Sequence, residues 1–62
     1  MDTIAQINAV IEFLQDSEDR VYTVEVDQDG VYTLESETRT VLKTKDAKWV
    51  LNVLEEIKDI VY

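Results

Sequence analysis

The apolar residues of this chain change their period twice within 62 residues, and nothing else in the sequence restricts the fold as strongly. Ile4, Ile7, Val10, Ile11 and Leu14 recur at intervals of three and four, with Phe13 on their flank. That is the stripe of a helix buried along one side. From Arg20 the interval falls to two. Tyr22, Val24 and Val26 alternate with Thr23, Glu25 and Asp27, and Tyr32 and Leu34 alternate with Thr33 and Glu35, as strands with one buried face do. The helical interval then returns in Ala47, Val50, Leu51, Leu54, Ile57 and Val61. A single α+β domain over residues 1–62 follows: helix, three-stranded antiparallel meander, helix, in two layers with both helices on one sheet face.

Local signals place the boundaries. Thr3, with Gln6 three residues on, suits a capped helix start, so the first helix is expected over about 3–16. It should end in Asp16-Ser17-Glu18-Asp19, because acids oppose the dipole at a helix C-terminus. The only glycine lies in Asp27-Gln28-Asp29-Gly30. A two-residue loop there sets Val26 opposite Thr33 and mixes core with solvent on one face. A three-residue loop, 28–30, sets Val26 opposite Tyr32 and Val24 opposite Leu34. The second choice keeps one face apolar, which calls for a type I turn with Gly30 left-handed in a bulge. A further turn near Glu37-Thr38 leads into a third strand over 39–43, in which either Val41 or Leu42 can face inward. Thr44 is expected to cap the second helix, over about 45–60, with Asp46 in its first turn.

A chain this short buries only about 60% of the surface its unfolded form exposes, so small domains lean on disulfides, metals or oligomerisation. The sequence has no Cys and no His, which removes disulfides and the usual zinc ligands. Pairing with a second copy is the remedy left, and a homodimer is expected. The same absences remove Ser-His and Cys-His nucleophile pairs and any side chain that titrates near neutrality unaided. No catalytic residue and no cofactor is assigned, and a non-enzymatic role is expected. With no basic leader and no apolar run near the ~20 residues that span a bilayer, the expected location is the cytoplasm, off the membrane.

Glu25-Val26-Asp27-Gln28-Asp29-Gly30 resembles the front of an EF-hand calcium loop. The resemblance stops there. The closing bidentate Glu falls on Ser36 and the flanks read as strands, so a polar hairpin turn accounts for these residues and no metal site is assigned.

Charge is divided unevenly. Residues 1–37 carry ten carboxylates against Arg20 alone, a net of −9, while residues 38–62 have a net of +1. If the apolar strand residues face the helices, Glu25, Asp27, Glu35 and Glu37 face out, with Asp29 at the rim and Asp16, Glu18 and Asp19 in the entering loop. Carboxylates two apart on a strand lie roughly 6.5–7 Å from one another, close to the spacing of phosphates along one DNA strand. In size and acidity the chain resembles the small inhibitors that phages use against host nucleases, repair enzymes and CRISPR effectors. That compositional resemblance implies a basic protein as partner, of the nucleic-acid-binding kind. The simpler alternative is a face kept charged for solubility and against edge pairing.

Val41-Leu42-Lys43-Thr44-Lys45-Asp46-Ala47-Lys48-Trp49 resembles the strand-to-helix joint of integrase arm-binding and AP2-type DNA-binding domains, which also set three strands before a helix. That resemblance, over about residues 20–55, implies a sheet lying in the major groove. Here the sheet face is mostly acidic and the net charge is −8, and phosphate neutralisation is the main source of DNA affinity. Direct nucleic-acid binding is therefore not expected.

One feature of the second helix exceeds what packing on a sheet needs. Trp49, Val53 and Ile60 form a second strip, shared with Glu56 and extended by Tyr62, beside the sheet-facing stripe. The apolar arc spans about 200° where ~100° suffices. Either the first helix covers this strip, or a partner or second copy does, with Trp49, Tyr62 and Phe13 as aromatic anchors. The expected function is a protein-interaction module that occupies a basic surface of its partner through the acidic face. The alternative is a homodimer or adaptor built on the Trp49 strip.

Overall fold

The computed structural model describes residues 2–61, with the backbone alone at Val61. Its elements run α1 (Thr3–Glu18), β1 (Tyr22–Val26), β2 (Tyr32–Ser36), β3 (Thr40–Thr44) and α2 (Ala47–Val61). The strands form one antiparallel sheet in the order β1-β2-β3. Ile7 and Leu14 of α1, Leu34 of the central strand, and Val50 and Leu54 of α2 are the fully buried cluster, so both helices share one sheet face. α1 lies nearest β1, α2 lies over β3 and β2, and the helices pack against each other.

Both helices start on an aspartate instead of the expected threonine. Asp2 caps α1, its Oδ1 accepting from the Ile4 N–H at 3.3 Å, and Thr3 is already helical. Asp46 caps α2, its Oδ1 accepting from the Lys48 N–H at 3.0 Å. Thr44 serves the preceding turn, its Oγ1 accepting from the Asp46 N–H at 3.1 Å. A carboxylate does better at that position because it adds a favourable charge at the dipole's positive end to the capping bond.

α1 also runs two residues past its expected stop. Asp19 takes a left-handed conformation (φ 54°), and the Arg20 N–H donates to the Leu14 carbonyl at 3.0 Å. That closing bond satisfies a terminal carbonyl, which carries the helix through its unfavourable acids.

The β1–β2 hairpin follows its sequence-based register, with Val26 opposite Tyr32 and Val24 opposite Leu34. The Gly30 N–H donates to the Asp27 carbonyl at 3.1 Å, the Asp27 N–H donates to the Val31 carbonyl at 3.1 Å, and Gly30 has φ 81°. These bonds define the three-residue loop with a left-handed glycine. One inward residue does not reach the core: Val26, at the far end of an edge strand, stays 57% exposed.

β3 resolves the open choice between Val41 and Leu42 by using both. Leu34 pairs with Leu42 and Glu35 with Thr40, so Val41 is an extra residue in a bulge. With two residues set against one, consecutive side chains need not alternate. Val41 and Leu42 are both half-buried against the core.

Candidate interaction surfaces

α1 lies along one flank of α2 only. Lys58 of α2 sits with its Nζ 4.8 Å from the centroid of the Phe13 ring, and Phe13 itself is half-buried against the core. Around the helix at 100° per residue, Lys58 and Leu51 mark one flank of the Val50–Leu54 line, whereas Val53, Ile60 and Trp49 mark the other. The first helix therefore does not cover the second strip. Trp49 is 53% exposed and Ile60 84% exposed, with Val53 half-buried between them. Phe13 belongs to the helix–helix contact and not to this strip. Tyr62 lies outside the described residues.

Two concavities border the bare flank. One of about 300 Å³ is lined by Trp49, Asn52, Val53, Glu55, Glu56 and Asp59. A groove of about 490 Å³ lies at the end of the sheet where α1 passes into β1 and β2 turns into β3. Val53, Glu56 and Ile60 line its α2 side, and Val41, Asp19, Arg20, Glu37 and Arg39 line the rest. The turn that closes this end is held by Ser36, whose Oγ accepts from the Arg39 N–H at 3.3 Å and whose N–H donates to the Arg39 carbonyl at 2.8 Å. Strand reversal thus brings the only two arginines of the chain to one groove. Eighteen residues separate them in sequence, so no local spacing signals the pairing.

The eight acids expected on the sheet face, its rim and the entering loop occupy three places. Glu25 and Glu35 are exposed on the open face of the sheet, where Glu25 opposes Thr33 and Glu35 opposes Thr23. Lys43 opposes Thr33 from the other side, so a cation stands in the same row. Asp27 and Asp29 sit at the hairpin tip. There the Asp27 Oδ1 accepts from the Asp29 N–H (2.9 Å) and the Val31 N–H (3.0 Å), which ties that carboxylate into the turn. Asp16 and Glu18 lie on the last turn of α1, and Asp19 and Glu37 line the groove. The length of β1, about 13 Å from first to last residue, separates the tip from this end. The paired spacing expected of a phosphate-like array is reduced to Glu25 and Glu35, diagonal neighbours on adjacent strands.

The bases are dispersed over the molecule. Lys43 alone stands on the open sheet face, Arg39 faces the groove, and Lys45 and Lys48 flank the cap of α2. Among the described residues no group of His, Cys, Asp or Glu is placed to hold a metal ion. No helix among them is long and apolar enough to cross a membrane.

Comparison with protein-family models, with curated proteins and with solved structures finds no match to this chain.

Proposed function

We propose that the protein is a non-enzymatic interaction module whose working surface is the bare flank of α2. One observation carries the reading: on a helix where Ala47, Val50, Leu51, Val53, Leu54 and Ile57 pack on the core, Trp49 and Ile60 remain 53% and 84% exposed on a shared strip. Tryptophan is the residue type most enriched in binding hot spots, and an exposed apolar strip with a polar border has the layout of an interface core and rim. The absence of His and Cys from the sequence supports a role in contact over one in catalysis. The surface differs from the acidic sheet face because the acids are dispersed over three places, whereas Trp49, Val53 and Ile60 share one strip of a single helix.

The test is capture of binding proteins from extracts of the source cell on the immobilised chain, at low and high salt. Trp49→Ala should abolish specific capture while leaving the circular dichroism and melting curve close to wild type. The double variant Glu25→Gln/Glu35→Gln should retain capture. The opposite pattern, together with steep salt sensitivity, would move the working surface to the open face of the sheet.

A further inference from the structure

The spacing of the bare flank says what kind of element fits it, and its charges say whose. Trp49, Val53, Glu56 and Ile60 follow one another at intervals of four, three and four residues, the spacing of a helix–helix seam. The seam runs about 16 Å along α2, long enough for three turns of a second helix. Its third position is an acid. A carboxylate enclosed in an apolar seam is costly unless a cation meets it. On the solvent side the next residues are Asn52, Glu55 and Asp59, and no base lines that concavity. Arg20 and Arg39 line the groove that Glu56 borders from α2, together with Asp19 and Glu37, so three acids meet two bases there and the surroundings of Glu56 keep an excess of negative charge.

A second copy of this chain suits the seam poorly. Two α2 helices packed along it, in either direction, bring their Glu56 side chains into the same apolar contact, and each copy carries a net charge of −8. Like charges brought together across an interface oppose it. We infer that the flank receives an amphipathic helix of another protein, with apolar residues at its seam positions and a Lys or Arg at the level of Glu56. This inference rests on the bare flank being the working surface, and it names the partner's chemistry.

The probe is a displayed library of helical peptides with four seam positions randomised, selected on the full-length chain and counter-selected on Glu56→Gln. Binders are then titrated by the fluorescence of Trp49, the only tryptophan present. Lys or Arg should dominate one central seam position. Glu56→Gln should weaken those peptides about tenfold or more and remove the basic preference in its own selection. Binders that shift Trp49 fluorescence with an apolar centre and bind Glu56→Gln equally well overturn the inference but leave the flank a docking surface. Failure to recover any peptide that shifts Trp49 fluorescence overturns both. Self-association of the free chain in sedimentation, lost in Trp49→Ala, assigns the flank to a second copy and overturns the basic-helix inference.

Discussion

The two flanks of α2 both carry large apolar residues and meet opposite fates. On one, Leu51 packs toward the core and the Lys58 ammonium sits over the Phe13 ring of α1. On the other, Trp49 and Ile60 face outward with no element of the described chain over them. Hydrophobic pattern alone therefore does not distinguish core from interface on a helix this apolar. What distinguishes them is where the neighbouring element runs, and that is a property of topology. The physical lesson is that an apolar arc wider than one sheet and one helix can cover leaves a remainder, and the remainder is where contact with something else costs least.

Substitutions can break or sharpen this contrast. The largest effect should come from Leu54→Ala, in the buried line between the flanks, which should lose about 2–5 kcal/mol in urea unfolding. For a 62-residue domain that is much of the stability such chains possess. Next comes the comparison itself: Phe13→Ala should cost about 2 kcal/mol, and Trp49→Ala less than about 1 kcal/mol. Equal losses for the two aromatics, measured by the same melts, would show the flanks to be energetically alike and end the distinction. Gly30→Ala tests the hairpin far from both flanks. An added Cβ meets nothing within 4 Å there, so the expected loss of about 1 kcal/mol is purely that of a positive φ. Smallest is Lys58→Gln, which removes the cation from the Phe13 ring and should lower stability by about 0.5 kcal/mol, seen as a small shift in the urea midpoint.

Much of the fold was legible because its signals are local. The switch from helical to alternating spacing marked the order of elements, and the turn at Asp27–Gly30 followed from requiring one apolar face on Val24, Val26, Tyr32 and Leu34. Four things were not legible. The caps moved from Thr3 and Thr44 to Asp2 and Asp46 because neighbouring residues compete for the same role and the chain's path decides between them. Strand β3 had no definite inward residue because a bulge suspends the two-residue period on which such readings depend. For the candidate surface, the excess width of the α2 arc was plain, but the side on which α1 would lie was not. The acidic residues, in turn, looked like one face because their alternation ignores where strands end: Asp27 is consumed by the turn and Glu37 belongs to the next one.

The extra residue at Val41 reaches beyond β3 itself. A three-stranded meander offers two outer margins, and a molecule with two straight margins can add neighbours without limit, as fibrils do. Here the extra residue falls in one of those margins, and a bulge bends and twists the strand that holds it, whereas β1 pairs without a shift. A strand out of step is a poor template for a further strand, so β1 is the margin of this sheet that a neighbouring strand would match more readily.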